Sequence, residues 1–146
     1  MRTVGVAGLW LVVALSAACG QQAPRQEASQ AGFQAFWSDF RSAVLGGDRA
    51  KTLAMTAFPF KTRGPSDADP IISHDAASFS GLLDTLLTQD PGLKPEPETM
   101  RAFIERTPTV PTTTMGDGGQ SARVGAFVFQ WTSGRWKFTM AYTEDQ

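Results

Sequence analysis

A chain of 146 residues, with 42% hydrophobic and 18% charged side chains, has the size and composition of one globular domain with short additional segments. Its net charge of −1 provides no basic excess for binding a phosphate backbone, so we expect no nucleic-acid partner. One cysteine and one histidine are too few for a zinc centre or an internal disulfide. We therefore expect no metal and no cofactor, and a domain stabilised by its hydrophobic core.

The first 18 residues have the pattern of an export signal. Arg2 gives a short positive start, residues 4–15 form an apolar run, and residues 16–18 are small. The run is shorter than the roughly 20 apolar residues that a membrane-spanning helix needs. We therefore predict that residues 1–18 are a cleaved signal peptide.

Cys19, the only cysteine, follows this small-residue exit directly. The motif LSAAC at residues 15–19 resembles the lipobox of bacterial lipoproteins, with Ser16 where leucine is commonest. The resemblance implies cleavage before Cys19 and lipid on its thiol; ordinary cleavage after Ala18 and an uncleaved anchor are the alternatives. Gly20, in place of the aspartate associated with inner-membrane retention, implies the periplasmic face of the outer membrane. Two or more acyl chains would hold the protein stably, since each buried CH₂ contributes roughly 0.8 kcal/mol.

The cysteine is followed first by a polar segment and then by a predicted helix. Residues 19–29 contain a proline and lack apolar periodicity, which is typical of a flexible tether. The domain is predicted over residues 30–146. It begins with a helix that ends at Gly46 and Gly47, because glycine readily adopts a left-handed conformation. Its apolar residues recur at helical spacing within an arc of about 100°: Phe33, Phe36, Trp37, Phe40 and Val44.

The middle of the domain alternates short elements. Asp48 can cap a second helix over residues 49–55. Residues 58–63 alternate apolar and polar side chains, and we predict a short edge strand because Pro59 cannot donate to a ladder. Asp75 can cap a third helix, and Pro97 suits the first turn of a fourth. The apolar residues of these two helices are Phe79, Leu82, Leu83, Leu86, Met100, Phe103 and Ile104.

Residues 122–143 have the pattern of an antiparallel hairpin, with β-branched and aromatic runs on either side of a polar turn at residues 132–135. An odd loop would exchange the two faces, because one residue of slip moves every side chain to the other side. We predict an even loop, which creates one strongly aromatic face in need of a cover. Its cross-strand pairs are Trp131 with Trp136, Phe129 with Phe138, and Phe127 with Met140.

Helices followed by a C-terminal run of strands predict an α+β fold. The stretches at residues 33–60 and 129–142, FQAFWSDFRSAVLGGDRAKTLAMTAFPF and FQWTSGRWKFTMAY, resemble the NTF2-like (cystatin-like) α+β cone superfamily. The resemblance implies N-terminal helices packed on a curved antiparallel sheet that ends in a C-terminal hairpin. It also implies that a cavity can open between helix and sheet.

The NTF2-like superfamily contains ketosteroid isomerases and dehydratases together with binding and dimerisation modules. Nothing here matches the isomerases' catalytic pattern, so no catalytic residue is carried over. We predict a lipid-anchored cell-envelope protein with a non-catalytic binding or interaction domain. One partner considered for this domain is a second copy of the chain, in a homodimer formed through the sheet. The alternatives are an isomerase-like or dehydratase-like enzyme using the cavity, and a purely structural dimerising lipoprotein. Neither the ligand nor the protein partner follows from the sequence.

Few polar residues are candidates for a chemical site. His74 is a candidate general base, although a loop or helix-start histidine is the simpler interpretation. Asp39 beside Tyr142 in a cavity would make an acid/base pair, but the helical wheel points Asp39 mostly outward.

Two further patterns have simpler explanations than a ligand site. Asp67, Asp69 and Asp75 offer oxygens for calcium but lack the EF-hand glycine and terminal glutamate, so solvated acids and a helix cap explain them better. Residues 116–119 are interpreted as a hairpin turn and not a phosphate loop, because no Lys-Ser/Thr follows. The aromatic residues of helix and hairpin fit a pocket lining or, as we expect, the core.

Overall fold

The structure, a computed structural model, describes residues 29–91, 96–111 and 115–144. The predicted signal peptide, Cys19 and all of the tether except Ser29 lie outside the described residues. No helix within them is long and apolar enough to cross a membrane. The helices are α1 Gln30–Leu45, α2 Arg49–Ala54, α3 Ala76–Thr88 and α4 Met100–Glu105. The strands are β1 Thr56–Arg63, β2 Ile71–His74, β3 Met115–Gly116, β4 Ser121–Val124, β5 Phe127–Thr132 and β6 Arg135–Tyr142.

The described strands form one curved, open sheet in the order β2-β1-β6-β5-β4-β3. The predicted α+β fold is confirmed. The prediction of an antiparallel sheet is wrong for one pair, because β1 and β6 run parallel while all other neighbours are antiparallel. The chain between β1 and β6 contains two helices, which is the long connection that a parallel pair requires.

β1 is not the edge strand that its proline predicts, since it lies between β2 and β6. The ladder to β6 has pairs at Thr56 and then again at Lys61, with a shift between them. Pairing with β2 begins only at Phe60. Pro59 therefore lies in a stretch where neither ladder needs its missing N–H, which is how a proline enters an interior strand.

Each helix begins at a side-chain cap. The oxygen atoms of Ser29, Asp48, Asp75 and Thr99 accept a hydrogen bond from the backbone N–H three residues later. The caps predicted at Asp48 and Asp75 are confirmed. α4 begins after Thr99, so Pro97 precedes the helix and does not occupy its first turn as predicted.

The hydrophobic core lies between the helices and the inner face of the sheet, where α1 covers the hairpin as predicted. Phe33, Trp37 and Phe40 of α1 are fully buried, and the ring centroids of Phe40 and Phe138 are 5.2 Å apart. Among the described residues, the core cluster extends from Phe33 to Ala141. This part of the chain therefore forms a core from its own residues.

The β5–β6 hairpin has the predicted even loop, made of Ser133 and Gly134 with positive φ angles of 51° and 77°. Two positive φ values are what a tight hairpin turn requires. The aromatic pairs Trp131 with Trp136 and Phe129 with Phe138 are confirmed.

The third predicted pair of the hairpin is wrong, because Phe127 lies opposite Ala141 and not Met140. A β-bulge adds one residue to β6 in this region, so that Thr139 and Met140 both point away from the core. Ala141 returns to the inner face and is fully buried. The bulge thus moves a methionine from the predicted core to the opposite surface of the sheet.

Candidate functional site

The face of the sheet opposite the helices carries a groove of about 380 Å³, which we name the outer-face groove. Four strands contribute to it, and its floor is mostly apolar. Its volume falls within the range of small-ligand sites, and its open shape also suits a protein surface. The lining residues are Ala57, Pro59, Lys61, Ile71, Val128, Gln130, Thr132, Thr139 and Met140.

The residues that line the outer-face groove differ in how far the sequence predicts their position. Val128 and Gln130 point outward because they alternate with the buried Phe127 and Phe129 along β5. Met140 joins them only through the bulge, for which the sequence contains no signal. Ile71 comes from β2, which was not predicted, although two adjacent isoleucines after Pro70 were a usable strand signal.

The chemistry of the outer-face groove is that of a contact surface. Ile71 remains 55% exposed, and the half-buried Val128 and Met140 lie beside it. Lys61 is the one charged side chain among the lining residues that the structure describes. Among the described residues that line the groove, none offers a carboxylate, imidazole or thiol that could act as an acid, a base or a nucleophile.

A second groove, which we name the hairpin-end groove, has a volume of about 300 Å³. It forms because β6 begins at Arg135 but pairs with β1 only from Phe138, so the end of the hairpin extends past β1. At this corner the Phe138 N–H donates to the Met55 carbonyl at 2.9 Å. The groove is lined by Gly32, Ala35, Phe36, Asp39, Ala54, Met55, Trp131, Arg135, Trp136 and Lys137.

The hairpin-end groove combines aromatic rings with cations. The rings of Trp131 and Trp136 meet edge to face, with centroids 5.8 Å apart. The Lys137 ammonium donates to the carbonyl of Ala54, where α2 ends. Burial, and then the positive charge of Arg135, lower the pKa of Lys137 below its usual range.

Trp136 carries an unsatisfied polar atom. The residue is only 4% exposed, and its indole N–H has no acceptor within the part of the chain that the structure describes. A buried donor without a partner costs about 1–3 kcal/mol. Trp136 is also one of the residues that line the hairpin-end groove, so the site contains a donor with unused capacity.

The structure does not bring Asp39 and Tyr142 together. Asp39 is exposed on α1 and forms an ion pair with Lys51 at 3.1 Å. Tyr142 lies under the guanidinium of Arg123, which is 4.4 Å from the ring centroid, and lines a separate depression beside Glu144. The acid/base pair considered from the sequence is therefore not formed.

His74 is placed at the end of β2 and not in a loop or at a helix start. Its Nε2 lies 2.8 Å from the hydroxyl oxygen of Thr62, which is buried in β1. This cross-strand contact joins β2 to β1 and gives the histidine a structural partner.

The acids considered for calcium serve local structure instead. Asp69 accepts from the Ser66 N–H at 2.7 Å. Asp75 caps α3, and hydrogen bonds from Ser78 lower the pKa of its carboxyl. Within the described ranges no three His, Cys, Asp or Glu residues are placed to hold a metal ion.

Residues 116–119 form a turn between β3 and β4, as predicted. Gly116 pairs with Ser121 across the turn, and Gly118 has a φ of 64°, which glycine adopts without strain. A helix long enough to bind phosphate does not follow, since the next element is the strand β4.

Comparison of the chain with protein-family models, with curated proteins and with solved structures gives no significant match.

Proposed function

We propose that the protein is a cell-envelope lipoprotein, anchored through lipid on Cys19 to the periplasmic face of the outer membrane. Its domain is of the NTF2-like type and serves as a non-catalytic binding or interaction module. The observation that carries the proposal is the contrast between its two faces. Buried aromatic side chains pack between the helices and the sheet, whereas the opposite face bears an apolar groove.

The anchor rests on the LSAAC motif and on the position of α1. α1, the first helix that the structure describes, begins at Gln30, eleven residues after Cys19. At about 3.3–3.6 Å per extended residue, these eleven residues reach at most roughly 40 Å. A lipid on Cys19 would thus hold the domain close to the membrane surface while leaving it free to turn.

The NTF2-like assignment is supported by the arrangement of the elements. Helices α1 and α3 pack on the same face of a curved six-stranded sheet, as the rings of Phe40 and Phe79 both contact Phe138. The strands after the helical excursion form a meander that ends in the aromatic hairpin. These features agree with the cone that the sequence resembles.

The non-catalytic assignment is supported by the placement of the polar residues. Asp39, His74 and Asp75 each have a surface or structural partner, and none of them lines the outer-face groove. An isomerase-like or dehydratase-like enzyme needs a polar group positioned against its substrate in the cavity. The placement of these polar residues therefore favours binding over catalysis.

The partner that best fits the outer-face groove is a second copy of this chain. Its apolar residues lie on an open sheet face, which two copies can press together around a twofold axis. A dimer would remove the exposed Ile71 from water and would place Val128 and Met140 in a shared core.

Light scattering tests the dimer. For the chain from Gly20 to Gln146 we expect the mass of two copies, and for Val128→Glu the mass of one, because a carboxylate would be buried without a partner. Ala50→Glu, on the exposed surface of α2, is the matched control and should stay dimeric. A monomeric unmodified chain, confirmed as folded by circular dichroism, would rule out the dimer.

Mass spectrometry of the mature N-terminus tests the anchor. We expect the full-length protein, expressed in a Gram-negative host, to be recovered from membranes with an acylated Cys19 as its first residue. Cys19→Ser should abolish acylation and release the protein from the membrane fraction. An unmodified Cys19 in a protein that is found in the soluble fraction would contradict the lipid anchor. This result would not affect the proposed interaction function of the domain.

A further inference from the structure

The hairpin-end groove contains a combination of groups that the packing of the domain does not require. Phe36 is only half-buried although it lies beside the core, with its ring centroid 5.7 Å from that of Phe129. Trp131 is likewise half-buried and packs edge to face on Trp136. Two large aromatic side chains thus keep part of their surface available at the groove.

The size of the groove results from small side chains opposite these rings. Gly32 and Ala35 line it from α1, and Ala54 lines it from the end of α2. The resulting space of about 300 Å³ is at the lower end of the range for small-molecule sites. A flat ring system can occupy such a space against aromatic walls, since offset and edge-to-face packing both stabilise ring pairs.

The charge of the groove is positive. Arg135 and Lys137 come from the same strand, and the ammonium of Lys137 is held beside the Ala54 carbonyl. Asp39, the one acid among the described residues that line this groove, is matched by Lys51 at 3.1 Å. An anion placed between the two hairpin cations would reduce their repulsion, which adds to the effect of burial in lowering the pKa of Lys137.

We propose that the hairpin-end groove binds a small planar organic acid, whose ring packs on Trp131 and Phe36 and whose carboxylate pairs with Lys137 and Arg135. The unsatisfied indole N–H of Trp136, a residue that lines this groove, is a further donor for an oxygen of this ligand. The assigned class is that of aryl carboxylates, in which a flat apolar body and one negative charge match the two halves of the groove.

This inference goes beyond the proposed function and does not depend on it. The hairpin-end groove and the outer-face groove share no lining residue. A monomeric protein would contradict the proposed dimer but not the ligand site. Failure to bind the ligand would contradict the ligand site but not the dimer.

Isothermal titration calorimetry with 2-naphthoate and its neutral analogue 2-naphthylmethanol tests the site on the chain from Gly20 to Gln146. We expect the acid to bind with a Kd below about 1 mM and the alcohol to bind about tenfold more weakly, because it lacks the charge-assisted hydrogen bonds. Lys137→Met should weaken the acid about tenfold and leave the alcohol unchanged. Trp131→Ala should weaken both ligands.

Arg101→Met is the matched control, since Arg101 is an exposed cation on α4 that lies outside both the hairpin-end groove and the outer-face groove. It should bind both compounds as the unmodified chain does. Circular dichroism of each variant establishes that it is folded.

The indole N–H signals in the nuclear magnetic resonance spectrum locate the ligand. We expect 2-naphthoate to shift the indole N–H signal of Trp136 and to leave the signal of Trp37 unchanged. The indole N–H of Trp37 already donates a hydrogen bond to the Thr107 carbonyl at 2.8 Å. Equal affinity for acid and alcohol, an unchanged affinity in Lys137→Met, or a shift confined to Trp37 would each overturn the proposal. So would the absence of binding to the folded chain.

Discussion

Replacement of Phe138 by alanine is expected to destabilise the domain by about 3–5 kcal/mol, the cost of removing a fully buried phenylalanine from a packed core. The ring centroid of Phe138 lies 4.6 Å from the centroids of Phe60 and Phe127. It lies 5.2 Å from the centroids of Phe40 and Phe129. These neighbours come from α1, β1 and β5. The cavity would therefore weaken the contact between the sheet and its cover, and not only one strand.

Urea unfolding of the chain from Gly20 to Gln146, followed by circular dichroism, measures this loss. Phe58→Ala is the matched control, because Phe58 is 38% exposed and its ring contacts Phe79 at 5.5 Å at the margin of the core. It should cost less than half as much as Phe138→Ala. Similar losses for the two variants would show that the aromatic cluster is not the centre of the core.

Replacement of Gly125 by alanine is expected to cost about 2–4 kcal/mol, from backbone strain and overpacking together. Gly125 has a φ of +60° in the turn between β4 and β5. An added Cβ would lie 2.9 Å from the methyl carbon of Met100 and 3.0 Å from the ring of Phe103. Met100 is fully buried, so its methyl group has little room to move away.

Gly118→Ala separates the two contributions to this cost. Gly118 has a similar φ of +64°, but an added Cβ there would meet no atom within 4 Å. It should therefore show the backbone strain alone, about 1 kcal/mol. If Gly125→Ala were no more destabilising than Gly118→Ala in the same urea experiment, α4 would not pack closely against the turn that contains Gly125.

Local signals explain why much of the fold was predictable. The spacing of Phe33, Trp37 and Phe40 specifies a helix with one apolar stripe, and the structure buries all three. Asp48 and Asp75 cap the helices that follow them, because a capping side chain needs only the backbone three residues later. Such features depend on short-range geometry and do not require knowledge of the tertiary fold.

The candidate site was less predictable, because its residues reach it through long-range pairing. Met140 lies in the outer-face groove only because a bulge reverses its direction within β6. The hairpin-end groove exists only because β1 starts to pair with β6 at Phe138, past Arg135 at the beginning of β6. Neither the bulge nor the parallel pairing of β1 with β6 leaves a pattern in the local sequence.

The sequence by itself determined the helices, the hairpin loop and the two central aromatic pairs, because hydrophobic periodicity and turn chemistry act over a few residues. It also supplied the prediction of a lipid on Cys19, which lies outside the described residues. Only the tertiary structure decided the order of the strands, the interior position of β1 and the separation of Asp39 from Tyr142. The physical reason is that strand pairing and groove formation join residues far apart in the chain, where register and packing, and not local propensity, determine which side chains meet.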